Sequence, residues 1–192
     1  KSSQQLNLYL DNRFIERDQV RSGRNKKVIW NDEFGNSVDF DFVLEINGSE
    51  TEKGLPVAFL ECFWRRGSRH SKDKARDDSG KLLPMRSSYP TARFLGILAA
   101  GDFTKPAREL IRSREIDLFY VPKEKIVQAF QLNGLQMDYP DSLSENEKLD
   151  LALEFEENLN PQNCTSVAAT LIDLMGKTAF DTYGDRLRSK LG

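Results

Sequence analysis

The chain has 192 residues, 39% of them hydrophobic, which is enough for one domain with a true core and short for two. Charged residues make up 30% and the net charge is only -2, so overall charge excludes no partner class; nucleic-acid binding would depend on cations gathered on one face. No apolar run approaches the ~20 residues that a membrane helix needs.

Cys62 and Cys164 lie far apart inside apolar segments. They read as reduced, buried thiols of a cytoplasmic, prokaryotic-type intracellular protein, with neither a disulfide framework nor a zinc site. A start at Lys1 without a leader pattern leads to the expectation of a processed start or a fragment with flanking domains outside it.

Between residues 4 and 21 the apolar positions are Leu6, Leu8, Leu10, Phe14, Ile15 and Val20, the later ones suiting an amphipathic helix that carries Glu16 and stops near Gly23. Lys26 to Trp30 reads as a short strand, and Asn31 to Asn36 as a hairpin turn. From Ser37 to Ile46 the period is two, with Val38, Phe40, Phe42 and Leu44 on one face and Asp39, Asp41, Val43 and Glu45 on the other. Leu55 to Trp64 is nearly all apolar, the pattern of a strand buried on both sides at the centre of a sheet.

Beyond it, a helix is predicted from Ser68–Ser71 to about Leu83, where Pro84 opposes continuation. Ala92 to Ala100 and Ile116 to Val121 are strands. Helices are predicted over Lys105 to Arg112, capped by Thr104, over Lys123 to Leu132, and over Ser144 to Leu159. The last packs Leu149, Leu151, Leu153 and Phe155. A final helical stretch runs from Ser166 to Leu174 and on toward Leu187. The order is α/β, a central mixed β-sheet flanked by helices, with a core over 1–135 and a helical C-terminal extension over 136–192 packed on it.

The chemistry concentrates between Ser37 and Leu83. Asp39 and Asp41 share a face of one strand, and Glu61 lies in the next among Phe59, Leu60, Cys62 and Phe63. If the strands pair, an Asp and Glu61 approach across the ladder. Two buried carboxylates side by side repel unless a cation sits between them, and Mg²⁺ suits such oxygen ligands, with Mn²⁺ as a substitute. The competing reading for Glu61 is a structural ion pair with Arg65 or Arg93. The cations Arg65, Arg66, Arg69, His70 and Arg76 after Glu61 are candidates for phosphate contacts, against the alternative of a solvated helix face laced by Asp73, Asp77 and Asp78. There is no Gly-rich phosphate loop, hence no expected nucleotide cofactor.

An Asp followed some twenty residues later by Glu61 at the end of a central strand, within an α-β-β-β-α-β order, resembles the PD-(D/E)XK nucleases, the superfamily of many type II restriction endonucleases. The resemblance spans roughly residues 5 to 121. It implies a restriction endonuclease-like core, a Mg²⁺-dependent DNA endonuclease activity on double-stranded DNA, and a homodimer. The metal-binding Asp of the family is matched by Asp41, or else Asp39, and its Glu by Glu61. The family's Lys two residues on is replaced by Phe63. Some branches carry that Lys on the following helix, which points to Lys74, which shares a face with His70, and then to Lys72. Glu16 matches the acidic residue that some members place on the first helix. Phe63 also keeps open a catalytically inactive nuclease fold that binds DNA or serves assembly.

Overall fold

The computed structural model describes residues 6–10, 28–49 and 52–191. Its elements are β1 (Leu6–Leu10), β2 (Val28–Asn31), β3 (Ser37–Phe40), β4 (Phe42–Ile46), β5 (Leu55–Arg65), α1 (Ser71–Ser88), β6 (Phe94–Gly101), α2 (Lys105–Ser113), β7 (Asp117–Pro122), α3 (Lys123–Leu132), α4 (Glu145–Asn158), α5 (Pro161–Met175) and α6 (Lys177–Leu191). Five strands form a mixed sheet in the order β1-β4-β5-β6-β7, and β2 pairs with β3 as a separate hairpin. The β1–β4 and β4–β5 pairs are antiparallel, whereas β5–β6 and β6–β7 are parallel. Parallel neighbours need crossovers, and α1 and α2 supply them while packing on each other. The protein is an α/β structure with a helical C-terminal region.

Strands β5 and β6 are buried on both sides, as their apolar runs require. On the α1 side, Phe59, Leu95, Ile97 and Ala99 meet Ala75, Leu82 and Met85 of α1, Ala107 and Ile111 of α2, and Trp30 and Phe40 of the hairpin. On the other side Ala58, Leu60 and Phe94 are covered by Tyr183 and Leu187 of α6. A third cluster, Ala129, Leu135 and Val167, joins α3 to α5. Local signals set several helix starts. The Thr104 hydroxyl accepts from the Ala107 N–H, and Ser144 and Glu147 form a reciprocal capping box on α4.

Several expectations are corrected. Leu6–Leu10 is a strand paired with β4, and the predicted helix carrying Glu16 lies outside the described residues. Ser37 to Ile46 is two strands in two sheets, broken by a bend at Asp41. The break shifts the alternation by one, so Phe40 joins Val43 in the α1-side core while Phe42 and Leu44 pack with Leu60 on the opposite side. Helix α1 continues through Pro84 to Ser88. Proline removes the N–H that Gly80 C=O would have received, and Gly80 is exposed, so water can replace that partner. The final helical stretch starts at Pro161 and splits at Gly176, whose φ of 82° ends α5. Cys62 is half-buried and Cys164 exposed, not buried. Leu149 and Leu153 of α4 are exposed as well.

Candidate active site

The β4–β5 register ends where Phe42 pairs with Leu60, and the bend at Asp41, one residue before β4, lies beside Glu61, which feels its charge. Asp41 is 4% exposed and so is Glu61. The Cys62 N–H donates to Asp41 Oδ2 at 2.7 Å, which draws the bend against β5. Glu61 shares its side of β5 with Phe59 and Phe63 and looks toward α1. There Lys81 Nζ donates to Glu61 Oε1 at 2.9 Å. About two turns back, Lys74 Nζ donates to Oδ1 of buried Asp78 at 2.7 Å.

This is a mixed cluster of three acids and two amines between a strand and a helix. Burial pushes the Glu61 carboxyl up to about 7; Lys81 works against the rise, and the charges of Asp41 and Asp78 add to it. Asp78 is likewise raised, chiefly by burial, with Lys74 opposing. For Lys81, burial acts to lower its pKa, but the charge and hydrogen bond of Glu61 outweigh it and the amine is raised. Burial and the neighbouring Asp41 and Glu61 push the Cys62 thiol up to about 11, so it stays protonated and inert. Asp78 Oδ2 is buried without a hydrogen-bond partner among the described residues.

The donor set fits a hard divalent ion. Mg²⁺ is held by one or two carboxylates, the remaining positions going to water and substrate phosphate, and Asp41 with Glu61 supplies that number. Among the described residues no group of three His, Cys, Asp or Glu side chains assembles into an all-protein cage. A cation beside Asp41 and Glu61 would offset the cost of burying the Glu61 charge and the smaller repulsion from Asp41.

The amines do not fall where sequence spacing placed them. Lys74 is committed to Asp78 and lies 5.3 Å from the Phe63 ring, and Lys72 is exposed; the amine on Glu61 is Lys81. Lys81, and neither Arg65 nor Arg93, is therefore the ion-pair partner of Glu61. Asp39 sits in β3 opposite Ile29, not on one strand face with Asp41, and it acts electrostatically on Lys81. Phe63 packs on Phe103 at 5.2 Å between ring centroids.

Of the predicted phosphate contacts, Arg66 is tied down. It donates to Asp141 at 2.8 Å and to the Tyr139 carbonyl at 2.6 Å, and stacks 4.1 Å over the Tyr139 ring. His70 and Arg76 are both paired with Asp73 at 3.2 Å. Arg65 and Arg69 make no ion pair among the described residues.

No family model matches the chain, and no curated protein matches it. Among solved structures it is similar to a crystal structure of a protein of unknown function, AF1548, at 15% identity, covering 78% of this chain and 88% of that one with a TM-score of 0.34. So loose a likeness carries no argument, and the site rests on strand register and side-chain geometry alone. Among the described residues no helix is long and apolar enough to cross a membrane.

Proposed function

We propose that the protein is a Mg²⁺-dependent deoxyribonuclease of the PD-(D/E)XK, restriction endonuclease-like kind, acting on double-stranded DNA. The supporting observation is buried Asp41, held to the Cys62 N–H at the bend before β4, beside buried Glu61 of β5, with Lys81 Nζ 2.9 Å from Glu61. Asp41 and Glu61 would hold Mg²⁺, or Mn²⁺ in its place. A metal bound there would polarise a phosphoryl oxygen and lower the pKa of an attacking water. Lys81 keeps Glu61 oriented and would present positive charge where a pentacoordinate transition state accumulates negative charge. In this reading Lys81 takes the part that spacing alone assigned to Lys74 and Lys72. Buried Asp78 holds Lys74 beside the same cluster. Arg65, half-buried at the end of β5, and Arg69, exposed before α1, would meet backbone phosphates. Exposed Leu149 and Leu153 on α4 are material for a homodimer contact, whose two-fold axis would match a palindromic site.

The test is nicking of supercoiled plasmid in Mg²⁺ or Mn²⁺. Glu61→Gln, Asp41→Asn and Lys81→Met should each lower the rate by roughly 10²-fold or more, with Lys72→Ala close to wild type. A second reading, an inactive nuclease fold that binds DNA or serves assembly, is favoured by Phe63 at the usual lysine position and by Lys81 being engaged with Glu61. Salt-dependent duplex binding without cleavage in either metal would select it.

A further inference from the structure

At the opposite end of β6 and β7 from the Arg65 loop lies an open cavity of about 770 Å³ that the nuclease reading does not use. Five cations line it: Arg86 from the last turn of α1, Arg93 just before β6, Arg112 from the end of α2, and Arg186 and Lys190 from α6. Two carboxylates share the lining, and both are spoken for. Glu115 takes Arg86 at 3.3 Å, and Asp117 takes Lys190 at 2.5 Å and Arg186 at 3.8 Å. Arg93 and Arg112 are exposed and have neither an ion pair nor a side-chain hydrogen bond among the described residues.

A bland account exists for part of this lining, because cations in the last turn of a helix offset its dipole. That covers Arg86, Arg112 and Lys190. It does not cover Arg93, which precedes a strand, nor the convergence of four separate elements on one hollow. The lining has no aromatic, Asn or Gln side chain, so it offers nothing to stack on a base or read its edge. Guanidinium groups facing solvent with no carboxylate are suited to phosphate oxygens.

We propose that this groove binds the phosphate backbone of nucleic acid, independent of sequence, with Arg93 and Arg112 as its two free contacts. The proposal rests on the nucleic-acid part of the preceding reading and adds a second contact surface to it. Position supports the link. Along β6, Arg93 is four residues from Ile97, the partner of Glu61, about 13 Å of strand. Along α1, Arg86 is five residues beyond Lys81, about 7.5 Å of helix. At ~3.4 Å of rise per nucleotide those spans amount to roughly two to four nucleotides. A strand threaded by the candidate site would therefore reach the groove within one short step.

The experiment is fluorescence anisotropy of a labelled 20-base-pair duplex with the full chain in EDTA, over a range of salt. The chains compared are wild type, Arg93→Ala/Arg112→Ala and Arg93→Lys/Arg112→Lys. Loss of both arginines should weaken binding roughly tenfold or more and flatten the log K against log salt slope by about 2, while the lysine pair keeps the slope. Both side chains are exposed, and an unchanged thermal melt confirms that the variants fold. An unchanged slope overturns the groove, and plasmid nicking by wild type in that case leaves the nuclease reading standing. A flattened slope with no cleavage in any metal upholds the groove and removes the hydrolase. Wild type that fails to bind duplex at low salt overturns both. Saturable binding of inorganic pyrophosphate, lost in the alanine pair while the duplex slope is unmoved, overturns it in favour of a small phosphorylated ligand.

Discussion

The β4–β5 ribbon buries a glutamate near each end, and the two are satisfied differently. At the loop end Glu45 is fully enclosed, and the Gly54 N–H donates to its Oε2 at 2.7 Å. At the bend end Glu61 is almost as deep, but it accepts from the amine of Lys81, whose side chain is 31% exposed. A backbone amide neither titrates nor swings away. A lysine does both, and it can release its acceptor to another cation. The same residue type on adjacent strands thus serves loop architecture at one end and holds a titratable ion pair at the other.

The sharpest way to break this contrast is to remove the amine. Lys81→Met keeps most of the apolar stem and leaves Glu61 buried without its partner. It should cost about 3–5 kcal/mol at pH 8 in denaturant unfolding. The cost should shrink at pH 5, where Glu61 takes up a proton. A loss independent of pH would mean that Lys81 matters only for packing.

Next comes the pH dependence of the intact chain. Glu61 is raised from 4.5 to about 7 on folding, so between those values the native state binds a proton that the unfolded chain has released. Its contribution to stability is therefore favourable in acid and is lost as pH rises from about 4.5 through 7, on the order of 3 kcal/mol at ~1.4 kcal/mol per pH unit. Stability of wild type relative to Glu61→Gln should fall across that window. Parallel curves would show that Glu61 titrates normally. Mg²⁺ should stabilise wild type more at pH 8 than at pH 5, and should leave Glu61→Gln unchanged at either pH.

At the other end, a Cβ on Gly54 would lie 2.3 Å from the Ile46 carbonyl oxygen and 2.4 Å from the Gly48 nitrogen. Gly54→Ala should displace the loop, disturb the amide on Glu45 and cost about 1–3 kcal/mol, without a metal effect or a change in the Glu61 pH window. A shift in that window would show that the two ends are coupled. The smallest effect is expected for Arg66→Ala. Its pairs with Asp138 and Asp141 are partly solvated, so the global cost should stay within ~1 kcal/mol. Hydrogen exchange should quicken over residues 136–141, and the salt slope of DNA binding should not move. A flatter slope would return Arg66 to the proposed set of phosphate contacts.

The strands β5, β6 and β7 and the helices α2, α3 and α4 are legible in the sequence because apolar runs, Thr104, Ser144 and the prolines mark them locally. The bend at Asp41 is not. Neither glycine nor proline interrupts Ser37 to Ile46, and an alternating pattern reads the same whether or not the strand changes sheets. Asp41 and Glu61 can be found because register is a local consequence of pairing. Lys81 escapes notice because Lys74 is nearer in sequence. Yet simple arithmetic points to it: Glu61 lies four residues, about 13 Å, back from the end of β5. A helix returning at ~1.5 Å per residue needs about nine residues from Ser71 to come level with it, which is the neighbourhood of Lys81. Asp78 gives no local signal, since a buried acid on a charged helix looks like its solvated neighbours.

Gly96 has a practical bearing on handling the protein. A methyl group there would come within 2.6 Å of the Tyr183 hydroxyl, so the bare strand lets α6 lie flat across Ala58, Leu60 and Phe94. Trimming the chain back to Gly176 for crystallisation would strip that cover and leave a greasy sheet open to self-association. Affinity handles belong beyond Leu191, never in place of the last helix.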